Sequence, residues 1–289
     1  MARPTSPTVS RRELANTLRK MRLQARKTLE DAAAALEVSA ATISRIETGV
    51  RVPRARDVKD LCEFYGLADP TRIAELTALV ADAKESGWYE TYTEVDDAYA
   101  TFIGLEEAAT AIDEFEATLI PSFLQTESYS RAFHKAGLNP GRKKPFTDHD
   151  IDKRIEVLAQ RQNLLTTNPD LKFTAILDEA ALIRIVGGPT VMQEQIAHLI
   201  RAADRSETHI LILPLDRGAH PGQVGGFSIL TLPQAQVSDV VYVDSSAGQL
   251  FLETTDQLVR YREIFHTLRE TALTPAASLE ALKSRINHY

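Results

Sequence analysis

Apolar residues recur at helical spacing through the first third of the chain. Leu14, Leu18 and Met21 form one stripe, which predicts a helix from a cap at Ser10 to about residue 25. The stretch TLEDAAAALEVSAATISRIETG at 28–49 predicts two short helices. The first covers about 29–36, and its alanines at 32–35 let another helix approach closely. The turn is Glu37-Val38-Ser39, and the Ser39 hydroxyl can cap the second helix. That helix presents Ile43 and Ile46 for burial and leaves Thr42, Ser44 and Arg45 outside the stripe. Gly49 suits a left-handed C-cap. A fourth helix opens near Pro53, with Val58, Leu61, Cys62 and Tyr65 on its apolar face. A fifth follows Asp69-Pro70, with Ile73, Leu76, Leu79 and Val80 apolar, to near Gly87.

The pattern then changes. Trp88, Tyr89, Tyr92 and Tyr99 cluster, and residues 102–119 read as one amphipathic or buried segment broken at Ile120-Pro121. Helices are predicted at about 126–136, 148–165 and 190–203, with a Pro/Gly/Lys loop over 137–145. Short apolar runs at 173–177, 209–214 and 227–232 read as strands, and 240–244 with 250–253 as a hairpin. Two helices close the chain, over 256–272 and from Thr274-Pro275 to about 287. The reading is a mainly α N-terminal domain of five helices, followed by an α+β domain with a small sheet. No internal repeat is visible.

Charge sharpens this division. The 289 residues carry a net charge of −7, but residues 1–66 hold thirteen Lys/Arg against eight Asp/Glu, a balance of +5. The remainder is −12. A basic head on an acidic body fits a nucleic-acid-binding domain joined to something else. The expected division is a disordered tail over 1–9, a head over 10–68, a linker helix and connector over 69–100, and a body over 101–289. Cys62 is the single cysteine, so no intrachain disulfide or zinc cluster is expected, and no cofactor. The N-terminus lacks the apolar core of a signal peptide. The longest uncharged stretch, 218–238, is broken by glycines and prolines and is no membrane span. A cytoplasmic protein is expected.

Two helices joined by a three- to four-residue turn form a helix-turn-helix, whose second helix enters the DNA major groove. The head resembles the Xre/Cro-type helix-turn-helix of phage repressors, in λ-repressor-like form. The resemblance rests on Ala33, Val38, Ile43, Ile46, the ending Arg45-Ile46-Glu47-Thr48-Gly49, and Pro53. It departs at Glu37, where that family usually has glycine. By family position, Ala40, Ala41, Thr42, Ser44 and Arg45 face the bases, and Ser39, the cap of that helix, counts among the DNA-binding residues. Arg22 and Glu47 correspond to a structural ion pair. Arg45 could donate two hydrogen bonds to guanine. Arg51 and Arg54 are placed to reach phosphate or the minor groove, and Thr28 at a helix N-terminus could hold a phosphate. Such modules dimerise on half-sites one helical turn apart, so a homodimer on double-stranded DNA is expected.

The body is similar to the C-terminal domain of actinomycete antitoxin-like regulators, the WhiJ-like group. The words that carry this are IPSFLQTESY at 120–129, LDEAAL at 177–182, VGGP at 186–189 with Met192, GAHPG at 218–222, Gly226-Phe227 and VVYV at 240–243. Departures are Ser122-Phe123, where Gly-Leu is common, and Ile185, where proline is common. The resemblance implies transcriptional regulation, often beside a small partner protein encoded nearby. Gln125, Tyr129, Asp178, Glu179 and His220 are the candidate ligand or partner residues. Three readings stay open: a regulator with a sensor domain, an antitoxin-like protein that binds a small partner and autoregulates its operon, and a ligand-gated repressor or tethered enzyme. The chain has no GxSxG, HExxH or GxxxxGK[ST] motif, and His149 between two aspartates reads as a solvated helix start rather than a metal site. Enzymatic activity is not expected.

Overall fold

The computed structural model describes residues 6–137, 145–233, 237–245 and 247–289. Contacts divide the chain into two compact units. One comprises Met1–Thr91 with Pro233–Ser238, the other Tyr92–Leu232 with Asp239–Tyr289.

The first unit holds five helices: α1 (Pro7–Gln24), α2 (Leu29–Ala35), α3 (Ala40–Glu47), α4 (Ala55–Phe64) and α5 (Pro70–Lys84). Helix α1 starts three residues before the expected cap. Pro7 occupies its first turn, where a missing N–H costs nothing, and Val9 and Ser10 are wholly buried. Of the expected tail, residues 7–9 are therefore helical and 1–5 lie outside the described residues. The core joins Leu14 and Leu18 of α1, Ala32 and Ala33 of α2, Ile43 and Ile46 of α3, and Val58, Leu61 and Cys62 of α4. Leu76 and Val80 of α5 belong to the same core. Where the sequence suggests a linker helix, α5 packs on α1 and α4, because its apolar stripe has a partner there. The turn after it is pinned by Tyr89, whose ring is fully buried and whose hydroxyl lies 2.9 Å from Thr8 Oγ1.

The second unit is α+β. Its elements are α6 (Asp97–Ala108), β1 (Ala111–Glu116), α7 (Glu127–Lys135), α8 (Asp148–Gln162), α9 (Leu164–Thr167) and β2 (Lys172–Asp178). Then come α10 (Glu179–Ile183), α11 (Pro189–Ala202), β3 (Thr208–Leu213), β4 (Phe227–Thr231), β5 (Val240–Ser245), β6 (Gly248–Leu252), α12 (Thr255–Thr271) and α13 (Pro275–Ile286). The predicted loop at 137–145 falls largely outside the described residues. The strands form one six-stranded sheet in the order β3-β2-β1-β4-β5-β6. Strands β1, β2 and β3 run parallel; β1, β4, β5 and β6 pair antiparallel in sequence.

The segment expected as one unit over 102–119 is two elements. It is helical to Ala108 and then turns into β1, which pairs on both edges. Acidic residues at 113, 114 and 116 disguise this strand. Side chains alternate across a sheet, so Phe115 faces one side with Ile176, Phe227, Ile229 and Val241, under Phe265 and Leu268 of α12. Glu114 and Glu116 face the other.

Candidate functional site

In the first unit the helix-turn-helix is held by local hydrogen bonds. The Ser39 hydroxyl accepts the Thr42 N–H at 3.2 Å and caps α3. Gly49 ends the segment at φ +74°, as its C-cap role requires. The Arg22 guanidinium grips the Glu47 carboxylate through Nε to Oε1 at 2.7 Å and Nη2 to Oε2 at 2.8 Å. Its Nη1 donates to the Lys27 carbonyl at 2.9 Å. Both side chains are buried, so the pair ties α1 to the end of α3 and stands clear of solvent. The Glu47 contact raises the Arg22 pKa. Glu37 sits at φ +54°, the left-handed region. The turn thus keeps a geometry that suits glycine while carrying a side chain.

Ala41, Arg45, Arg51 and Arg54 are exposed, and Ala40, Thr42 and Ser44 are half-buried, all around the outer side of α3 and the loop after it. The Arg51 N–H donates to the Arg45 carbonyl at 3.0 Å, which folds that loop back on the helix. Thr28 caps α2: its hydroxyl accepts the Asp31 N–H at 3.0 Å, and Asp31 accepts the Thr28 N–H at 2.8 Å. A carboxylate therefore already stands at that helix start.

The five candidates in the second unit separate. Gln125 lines a cavity, with its amide donating to the Ile120 carbonyl at 2.8 Å. Tyr129 is fully buried, accepts the Ile120 N–H at 3.3 Å, and is pushed up to about 12 by burial. Asp178 caps α10 through the Ala180 N–H at 2.8 Å and holds His220 Nε2 at 3.1 Å. Glu179 accepts the Leu215 N–H at 3.1 Å and pairs with Arg285 at 2.5 Å. These contacts fasten the 214–222 loop and α13 to the end of β2, away from the cavity lining.

The cavity has a volume of about 630 Å³, lies over β1, β4 and β5, is bordered by α6, α7 and α8, and is partly open to solvent. The register sets its floor. Glu114 pairs across with Ser228, and Ser228 with Tyr242. Glu116 and Asp244 extend the same face. Phe102 of α6 stacks on Tyr242 with ring centres 3.9 Å apart. At one wall Arg161 makes a buried bidentate pair with Glu106, at 2.7 and 2.6 Å. Arg161 also donates to the Tyr99 hydroxyl at 2.5 Å and Ser122 Oγ at 2.9 Å. Burial alone would lower its pKa, but the Glu106 charge raises it. Arg154 donates to the Glu94 carbonyl at 2.9 Å and lies 4.4 Å over the Phe146 ring.

The floor carboxyls are strongly perturbed. Burial first, then the Asp244 charge, pushes Glu116 up to about 8. Burial, then Glu116 and Glu106, raises Glu114 well above the ordinary carboxylate range. Asp244 is raised too, by partial desolvation of its carboxyl at the cavity edge, although the residue as a whole is exposed. Among the described residues, the Glu114 and Glu116 side chains make no hydrogen bond or ion pair. The sequence reading missed Glu106, Glu114, Glu116, Arg161, Tyr242 and Asp244. One signal was present: Arg161 lies three residues after Leu158 on the apolar stripe of α8, and Glu106 four after Phe102 on α6. Among the described residues no cluster of His, Cys, Asp and Glu could hold a metal ion.

Residues 99–284 match the family model of a domain of unknown function, DUF5753. The chain belongs to the DUF5753 family. Residues 13–76 match the model of a helix-turn-helix domain, the segment that holds the Ser39 cap and the Arg22–Glu47 pair. No curated protein and no solved structure matches the chain. Among the described residues, no helix is long and apolar enough to cross a membrane. Most of the cavity lining falls within the DUF5753 match, while Thr93, Glu94 and Asp96 lie between the two matched segments.

Proposed function

We propose that this protein is a cytoplasmic, homodimeric, sequence-specific transcriptional regulator of the Xre type, with a DUF5753 domain of the WhiJ-like kind that acts as its sensor. The observation that carries the DNA-binding part is the exposed face of α3 beside its buried scaffold. Ile43, Ile46 and Glu47 are buried, while Arg45, Arg51 and Arg54 remain in solvent. In this reading Arg45 reads a base edge, with Ala40, Ala41, Thr42 and Ser44 shaping the contact. Arg51 and Arg54 neutralise phosphates. Thr28 is the weakest of the assigned contacts, because Asp31 shares its helix start. The cavity, a concave site of small-molecule size that is partly open to solvent, favours a sensor over an antitoxin-like role for the second unit.

The test is binding to DNA upstream of the protein's own gene, by fluorescence anisotropy at several salt concentrations. Arg45→Ala is expected to cost about 1–3 kcal/mol on the operator and little on unrelated DNA. Arg51→Ala is expected to weaken both alike and to reduce the salt slope by about one. Equal losses on both DNAs for Arg45→Ala would remove it from base readout. A footprint with half-sites about 34 Å apart supports the dimer. A small protein that co-purifies and survives both substitutions would favour the antitoxin-like reading.

A further inference from the structure

The DUF5753 cavity combines four features. It is of small-molecule size, at about 630 Å³. Its floor carries Glu114, Glu116 and Asp244 on one face of the sheet. Tyr242 is 94% buried in that floor and stacks on Phe102, with its hydroxyl sealed from solvent and, among the described residues, without a hydrogen-bond partner. Aromatic rings line the walls: Phe102, Phe133 and Phe146.

The Glu114 and Glu116 carboxyls open onto the cavity, and among the described residues nothing hydrogen-bonds or pairs with them. The two nearby guanidinium groups do not relieve them by contact. Arg161 is held by Glu106, Tyr99 and Ser122. Arg154 is turned to the Glu94 carbonyl and the Phe146 ring. A bound cation would supply what the fold omits, a counter-charge and hydrogen-bond donors for Glu114, Glu116 and Asp244. Aromatic faces attract cations as well. An anionic ligand would meet three acidic side chains and no uncommitted guanidinium of Arg161.

We propose that this cavity binds a small organic cation, a molecule whose protonated amine or guanidine sits against Glu114, Glu116 and Asp244 and whose apolar body lies beside Tyr242 and Phe102. The binding site stands on the cavity alone. Its consequence for DNA rests on the sensor reading above.

The experiment is calorimetric titration of the full-length protein, without DNA, using 2-phenylethylamine, agmatine and spermidine. Phenylacetate, the anion matched in shape to the first, is the control. At least one amine is expected to bind saturably, one per chain, in the millimolar range or tighter, while phenylacetate does not. Glu116→Gln keeps the shape, removes the carboxyl that gives up its proton to pair with the bound cation, and is expected to weaken binding roughly tenfold. Asp244→Asn, at an exposed position on the cavity, is a second variant in case Glu116→Gln fails to fold; it is expected to weaken binding by a smaller factor. The proposal is overturned if none of the amines binds in that range, if phenylacetate binds as well as its amine, or if neither variant changes affinity. Operator binding measured with and without the binding amine separates the two readings. An unchanged operator affinity sinks the sensor role and leaves the cation site standing.

Discussion

Gly226 lies so close to Glu116 that a Cβ at position 226 would stand 2.8 Å from Glu116 Oε2 and 3.0 Å from the Phe115 carbonyl oxygen. The missing side chain leaves room for the cavity carboxylate and for the backbone of β1. The Gly226-Phe227 pair, noticed in the sequence only as a word, thus has a physical role at the site. Gly222 is similar: a Cβ there would meet the Phe115 ring at 2.4 Å.

Gly226→Ala should therefore displace the Glu116 side chain. The Phe115 carbonyl cannot move without disturbing β1, so a stability loss of about 1–3 kcal/mol is expected. Amine binding should weaken with it. Calorimetry and thermal unfolding of the variant check both; unchanged amine affinity would show that Glu116 is not held by this contact.

Glu37→Gly should stabilise the helix-turn-helix. A non-glycine residue in the left-handed region costs about 1–2 kcal/mol, offset in part by the backbone freedom glycine adds to the unfolded chain. A net gain of a few tenths to about 1 kcal/mol is expected. Denaturant unfolding followed in the first unit checks it, and a destabilised variant would mean that Glu37 makes a compensating contact.

Arg22→Met should leave the buried Glu47 carboxylate without its guanidinium. Such a lone charge costs about 3–5 kcal/mol. Adding Glu47→Leu should recover most of that loss, because an apolar pair of similar volume replaces a buried ion pair at little cost. The double-mutant cycle by chemical denaturation measures this directly. If the single variant is as stable as the parent, the pair contributes nothing to the fold.

Stability should fall as pH rises from about 4.5 towards 8. Glu116 has its pKa raised from 4.5 to about 8 in the folded state, so in that window the folded chain holds a proton that the unfolded chain has lost. More bound protons in the folded state mean that stability drops with rising pH and levels off above about 8, at no more than about 1.4 kcal/mol per pH unit for one group. The other charged or titratable groups on the cavity are Glu94, Asp96, Tyr99, Glu114, His134, Arg154, Arg161, Tyr242 and Asp244, with Glu106 behind Arg161. Glu114 and Asp244 are raised too and act in the same direction. Glu116→Gln should flatten the profile without abolishing it. A profile identical to the parent's would mean that Glu116 is ionised throughout.

Much of the first unit was legible because its determinants are local. A cap acts across three residues, an apolar stripe repeats every three or four, and Gly49 marks its own backbone angle. Ser39, Ile43, Ile46 and Gly49 therefore declared α3 from the sequence, and Arg22 with Glu47 followed from their family positions. The strands at 173–177, 209–214 and 227–232 and the hairpin at 240–253 were also visible as apolar runs. What tertiary structure alone decided is the cavity. Strand β1 reads as the continuation of a helix because Asp113, Glu114 and Glu116 look like a solvated face; only pairing with β2 and β4 makes it a strand. Glu114, Ser228 and Tyr242 become neighbours through sheet register, which no short window of sequence contains. Their burial, and the shifted protonation that follows from it, depends on α6 and α8 closing over them. A carboxylate in the sequence carries no sign of whether water will reach it.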